Sequence, residues 1–178
     1  LDHVEEIIKN NPDVIVIVDE AYIDFGGETA LPLIDKYDNL VVVRTFSKSR
    51  SMAGLRIGYA ISNPELIKAL NDVKYSYNSY TMNRPSLVLG VESIHDDAYF
   101  REKVGQIIAT RERFVKEIAE LGFTCLPSSA NFVFATHESI PAKEIFAAAK
   151  ENNIYVRYFD KPRIDNYLRI SIGTDAEM

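Results

Sequence analysis

Two apolar runs of strand length dominate the first fifty positions, VIVIVDE over residues 14–20 and VVVRTF over residues 41–46. Uninterrupted β-branched runs of this kind predict strands buried on both faces, and two such runs, the second following a short connection through Asp38-Asn39, predict a largely parallel, covered sheet. Ahead of them, Val4, Ile7 and Ile8 alternate with charges as the end of an amphipathic helix does, closed by Asn10-Asn11-Pro12. After Gly58 the period changes. Asn63-Pro64-Glu65 opens a helix through LIKALNDV, the polar tyrosine-rich YSYNSYTMNRP breaks it, and a long helical stretch follows from Ser86 to Leu121. That stretch is interrupted near His95-Asp96-Asp97 and closes at Gly122, in the position of a helix C-cap.

Beyond Gly122 the pattern predicts a strand or pair of strands through FTCLPSSANFVFAT, a helix from Pro141 to about Asn152, and strands at IYVRYF and YLRISI. Without repeats or low-complexity tracts, the chain reads as two unequal parts joined by helix: 1–85, a connecting segment 86–121, and a small α+β part 122–178.

Composition narrows the function. The 178 residues are 47% hydrophobic, enough for a sizeable core. The balance of 26 acidic to 20 basic residues offers neither a basic face for nucleic acid nor a polybasic patch for anionic lipid. No apolar run approaches the roughly 18 residues that span a bilayer. LDHVEEIIKN has neither the basic start nor the apolar centre of a signal peptide. The lone Cys125, read as a small half-buried residue, fits a reducing cytoplasm. His3, His95 and His137 share no ligand spacing, which predicts no metal site and three surface histidines.

Chemistry concentrates just past the second run, at SKSRSMAGLRIGYA. Burial disfavours a charged ammonium, so Lys48 at the end of a buried strand is a candidate nucleophilic amine. Arg56, eight residues on, offers a planar fork of donors for a phosphate, and Ser47, Ser49 and Ser51 offer hydroxyls for the same oxygens. Amine and anion site together point to a phosphorylated aldehyde. Asp19 ends the first run and Lys48 lies just beyond the second, so neighbouring parallel strands bring both to the carboxyl edge of one sheet, where open α/β sheets bind ligands. Each residue also has a plainer reading: a solvated loop for Lys48 and Arg56, a turn cap for Asp19, solvent-facing strand positions for Arg157 and Arg169.

Ser47-Lys48, running through Ala53-Gly54-Leu55-Arg56 to Gly58-Tyr59, resembles the lysine segment of the fold-type I aminotransferases, whose cofactor is pyridoxal 5'-phosphate (PLP). Asp19-Glu20-Ala21-Tyr22 is similar to their D-x-x-Y motif, and the chain as a whole resembles the histidinol-phosphate aminotransferases. The resemblance implies an α/β, aspartate aminotransferase-like fold, with 1–85 the C-terminal part of the large PLP-binding domain and 122–178 the small domain. It implies that Lys48 both anchors PLP and moves a proton between substrate Cα and C4', that Asp19 pairs with the ring nitrogen, and that Tyr22 bonds the phenolic oxygen. Ser47 and Arg56 are implied to hold the cofactor phosphate, with Gly54 allowing close backbone approach and Gly58 either doing the same or only permitting a turn. Arg169, in YLRISIGT, is implied to pair with the substrate carboxylate, and Arg157, in NNIYVRYF, with a phosphate that the substrate carries. Asn131 in SSANFVF is expected to be structural, while Tyr77, Asn78 and Tyr80 line the pocket, meet a partner subunit or form a solvated turn.

The implied reaction takes an amino donor and a 2-oxo acid, histidinol phosphate and 2-oxoglutarate giving imidazole acetol phosphate and glutamate, in a cytoplasmic homodimer. An aromatic aminotransferase, a threonine-phosphate decarboxylase-like enzyme and a non-catalytic α/β module are the alternatives. Family members are longer: their first half carries the other phosphate-binding loop, the aromatic that stacks on the ring, an asparagine and a tyrosine lent across the dimer, and they continue past IGTDAEM into a closing helix. The expectation is therefore a C-terminal fragment that binds PLP weakly and is inactive alone.

Overall fold

The computed structural model describes all 178 residues, and they form two compact units, Leu1–Phe100 and Arg101–Met178. In the first unit, helix α1 (Asp2–Lys9) buries Ile8, while Asp2, Glu6 and Lys9 are exposed and half-buried Glu5 accepts from the Tyr37 hydroxyl at 2.7 Å. Strands β1 (Val16–Asp19), β2 (Leu40–Thr45) and β3 (Gly58–Ile61) make a three-stranded sheet in that order. β1 and β2 are parallel with Asp19 opposite Val43, whereas β2 and β3 are antiparallel with Thr45 opposite Gly58. The expected parallel pairing thus holds for β1 and β2 alone.

Burial on both faces is right for β2, where Leu40, Val41 and Val42 are all buried, and wrong for β1, where Ile17 is 64% exposed. β1 is an edge strand, and its inner face alone meets the core. An apolar run reports what each face is made of, and coverage depends on which neighbours pack there. Ile8, Ala30, Leu33, Leu40 and Val42 form that core, with Val4, Val16 and Val18 packed against it. Each fully buried Leu or Ile side chain contributes about 1.5–3 kcal/mol.

Helix α2 (Pro64–Tyr77) starts where predicted: Asn63 Oδ1 accepts from Leu66 N at 3.0 Å, and Pro64 occupies the first turn. It runs through the first tyrosines and stops at Asn78, later than the polar pattern suggested. Helix α3 (Arg84–His95) is capped by Asn83, and α4 (Asp97–Ala119) follows after the interruption at Asp96; the division between the units falls inside α4. Gly122 takes a left-handed φ of 86°, and a Cβ there would meet His137 Nε2 at 2.9 Å, so the C-cap position requires glycine on both counts.

In the second unit the predicted strand region resolves into a pair, β4 (Phe123–Cys125) and β5 (Phe132–His137). Helix α5 (Ala142–Glu151), strand β6 (Arg157–Tyr158) and strand β7 (Leu168–Ser171) complete an antiparallel sheet of order β4-β5-β7-β6. Val133, Ala135 and Leu168 are buried on its core face. His137 is not a surface spectator. Its Nδ1 accepts from Ser139 N and Ile140 N, which leaves Nε2–H to donate to Leu121 O at 2.9 Å, and its ring packs edge-on against Phe123. No helix is long and apolar enough to cross a membrane.

Candidate active site

The first unit gathers five of the predicted residues at the carboxyl edge of β1 and β2. Asp19 is the last residue of β1 and is exposed; its Oδ1 accepts from Ala21 N at 3.0 Å, so it does cap the following turn, through one oxygen. Tyr22 leads into a 3-10 turn (Ile23–Phe25) and is half-buried. Lys48 lies three residues past the end of β2, half-buried, with Nζ 5.2 Å from the centre of the Tyr22 ring. A cation over an aromatic face is attracted by the ring quadrupole, which aims the amine at the turn that follows Asp19.

Backbone pairing brings Ser47 and Arg56 together. Phe46 N donates to Ile57 O at 3.1 Å, carrying the β2–β3 pairing one step beyond the strands, and the next residues outward are Ser47 and Arg56. Arg56 is exposed, has a left-handed φ of 56°, and donates Nη1 to Ala53 O at 2.9 Å. A left-handed arginine is costly backbone, and here it accompanies an exposed side chain bonded back to Ala53. A Cβ on Gly54 would meet nothing within 4 Å, so close packing by the protein is not what glycine serves there. At Gly58 a Cβ would lie 3.2 Å from Arg44 O, which makes that glycine part of the β2–β3 pairing.

Residues beside the predicted set hold this edge, and Ser49, expected to offer its hydroxyl to a phosphate, is engaged within the protein instead. Ser49 is buried and donates Oγ to Asp24 Oδ2; Arg50 donates to the Ser93 carbonyl, with its guanidinium 4.2 Å from the Phe100 ring centre. The residues flanking Lys48 on its C-terminal side are therefore pinned to the Tyr22 turn and to α3. Glu20, 5% exposed, accepts from Arg44 Nε and Nη2, Thr29 Oγ1 and Ala30 N. Burial would lower the Arg44 pKa, but its hydrogen bonds to Glu20 and Tyr59 outweigh burial and raise it above the ordinary value. The signal was present in the sequence: the first apolar run ends in two acids, Asp19 and Glu20, and the second carries one base, Arg44, near its carboxyl end.

The second unit brings Arg157 and Arg169 together. They are direct partners across β6 and β7, so both side chains rise from one face of the sheet. Arg157 is exposed, with its guanidinium 5.4 Å from the Phe159 ring centre; Arg169 is half-buried, 5.2 Å from that of Phe132. Arg169 Nε is buried without a hydrogen-bond partner. Like charges directly opposite destabilise a sheet and a buried orphan donor costs about 1–3 kcal/mol, so the pair has unmet donor capacity. Asn131 serves the sheet, accepting through its carbonyl from Ile172 N. Tyr77, Asn78 and Tyr80 are all exposed.

The first unit thus places a lysine over a phenol at a parallel sheet edge, with a carboxylate ending the adjacent strand and an arginine and a serine flanking the β2–β3 pairing. The family model "Aminotransferase class I and II" matches residues 1–178, and the chain belongs to that family. It is 53% identical over 179 residues to a histidinol-phosphate aminotransferase of Brachyspira hyodysenteriae, covering 100% of this chain and 51% of the relative. Among solved structures, the histidinol-phosphate aminotransferase of Clostridium acetobutylicum superposes with a TM-score of 0.88 at 25% identity, over 99% of this chain and 55% of that one. That of Sinorhizobium meliloti, solved in complex with PLP, gives 0.83 at 28% identity, over 98% and 49%. The fold is that of the fold-type I aminotransferases, and the chain spans about half the length of the curated relatives it matches.

Proposed function

We propose that this chain carries the lysine-bearing half of a PLP-dependent aminotransferase site whose amino donor is histidinol phosphate and whose acceptor is 2-oxoglutarate. The observation that carries the reading is Lys48, three residues past β2 and over the Tyr22 ring, with Asp19 ending the adjacent parallel strand. The residues fit PLP: an amine for its carbonyl, a carboxylate for its pyridine nitrogen, a phenol for its phenolic oxygen, and Ser47 with the guanidinium of exposed Arg56 for its phosphate. Bound there, PLP supplies an electrophilic carbonyl and a protonated ring that accepts the electron pair left at substrate Cα.

The protein's own groups do the rest. Lys48 would be the residue that holds the cofactor's carbonyl carbon and, once freed by an incoming amine, the base that takes the Cα proton. Asp19 would keep the pyridine nitrogen protonated, and Tyr22 would donate its hydroxyl to the phenolic oxygen. Arg157 and Arg169 hold the substrate anion. Histidinol phosphate carries a phosphate and no carboxylate, whereas 2-oxoglutarate carries carboxylates and no phosphate, so one arginine pair serves both substrates in turn. This replaces a fixed division of labour between the two arginines.

Exposed apolar side chains on α2 and α3, among them Val73, Leu87, Val88, Val91 and Ile94, support a homodimer, and the lone Cys125 supports a cytoplasmic protein. The substrate reading is tested on a protein of the relatives' length that contains this sequence, with a panel of histidinol phosphate, histidinol, phenylalanine and threonine phosphate. Histidinol phosphate is the preferred donor, and Arg157→Ala raises its KM about tenfold or more with a smaller effect on kcat. Indifference to Arg157→Ala, or release of carbon dioxide from threonine phosphate as the main activity, overturns the assignment. The 178 residues alone are expected to capture PLP and not to turn over.

A further inference from the structure

We propose that the network of buried Glu20 with half-buried Arg44 and Thr29 is the positioning device of the PLP site, fixing the ends of β1 and β2 so that Asp19 and Lys48 are held in register. The proposal rests on the reading above that Lys48 captures PLP. Glu20 Oε2 accepts from Arg44 Nε at 3.0 Å and Nη2 at 2.8 Å, Oε1 accepts from Ala30 N at 2.6 Å, and the Thr29 hydroxyl lies 2.9 Å from both oxygens. Arg44 Nη2 also reaches Thr29 Oγ1 at 2.9 Å. A carboxylate so engaged has no vacancy for a ligand, so Glu20 acts through its neighbours.

Those neighbours lead to the two reacting groups. Glu20 follows Asp19 directly, and its own N–H donates to Val43 O at 2.9 Å, which extends the β1–β2 ladder past Asp19. On the other side, Arg44 precedes Thr45, whose hydroxyl donates to Ile57 O at 3.2 Å and accepts from Ser47 N at 3.0 Å, the residue before Lys48. A continuous bonded path thus runs from Asp19 through Glu20, Arg44 and Thr45 to Lys48. Buried ion pairs are seldom the cheapest source of stability, since apolar side chains of similar volume often do as well. What they add is direction, because each bond is satisfied in a single arrangement. Misplacement of a reacting group by about 1 Å costs on the order of a hundredfold.

The test uses this chain with added PLP. Near-visible absorbance gives the apparent Kd and its pH midpoint, and borohydride reduction with peptide mapping gives the lysine modified. Glu20→Leu/Arg44→Met replaces the pair by apolar groups, and circular dichroism with a thermal melt establishes that the variant is folded. The expected result is a cooperative melt, a PLP Kd raised about tenfold or more, a shifted pH midpoint and loss of selectivity for Lys48. A folded variant with the unchanged Kd, midpoint and selectivity overturns the proposal while leaving the Lys48 reading intact. Capture by the unsubstituted chain at some other lysine overturns both. If the double variant fails to fold, Glu20→Gln and Thr29→Val are judged by the same two outcomes.

Discussion

The strand ends that carry Asp19 and Lys48 and the strand pair that carries Arg157 and Arg169 treat charge in opposite ways. In the first unit the buried charge is saturated from within: Glu20 meets Arg44, Thr29 and Ala30, and the residues next to Lys48 are tied to Asp24 and Ser93. In the second unit two arginines face each other across β6 and β7 with aromatic rings as neighbours, and one buried N–H is left without an acceptor. Under the function proposed above, the contrast matches two tasks. A cofactor that stays bound through many turnovers rewards a prebuilt frame, whereas substrates that come and go are best met by donors whose satisfaction awaits them.

Removing one partner from each region breaks this contrast most strongly. Arg44→Met strands the Glu20 carboxylate and lowers stability by about 3–5 kcal/mol, while Arg169→Met changes it by about 1 kcal/mol or less, because lost packing is offset by relief of the facing charge. Denaturant unfolding followed by circular dichroism checks both, and equal losses would erase the distinction.

A smaller effect separates the regions by ligand. A ligand that binds only the folded state stabilises it by RT ln(1 + L/Kd), L being its free concentration, and pyrophosphate is the probe. It should raise the melting temperature of the second unit, with Arg157→Ala/Arg169→Met abolishing the shift and Glu20→Gln leaving it. A shift that survives loss of both arginines contradicts the anion reading.

The smallest effect concerns acid. The Thr110 hydroxyl and the Arg113 guanidinium hold Asp175 below the usual carboxylate range. A lowered folded value gives stability that is present above the unfolded pKa and is lost as pH falls through the folded one. The second unit should therefore loosen below the ordinary aspartate range, and Asp175→Asn should flatten that part of the stability–pH curve. A curve unchanged by the substitution would show that the pair contributes nothing.

Much of this was legible in the sequence, and the limits have physical causes. β1 and β2, the break at Asp96 and the cap at Gly122 follow from local periodicity and backbone preference, which neighbouring residues carry. The Lys48 segment and Asp19–Tyr22 were visible as motifs, and their arrival at one sheet edge follows from two parallel strands. The Glu20–Arg44 pair was not read, because its partners are 24 residues apart and meet only through strand pairing. The opposition of Arg157 and Arg169 depends in the same way on the register of β6 with β7, and a slip of one residue would send one side chain to the other face. Exposure of Ile17 was missed because apolar composition says nothing of what lies beyond an edge strand.

The most direct measurement is the identity of the lysine that captures PLP. The chain is incubated with PLP, reduced with borohydride, digested and mapped by mass spectrometry, beside Lys48→Ala. The account predicts the added mass on the peptide containing Lys48 in near-stoichiometric amount, and its loss in the variant. Modification spread over exposed lysines such as Lys68 and Lys143, with the same pattern in Lys48→Ala, would contradict it.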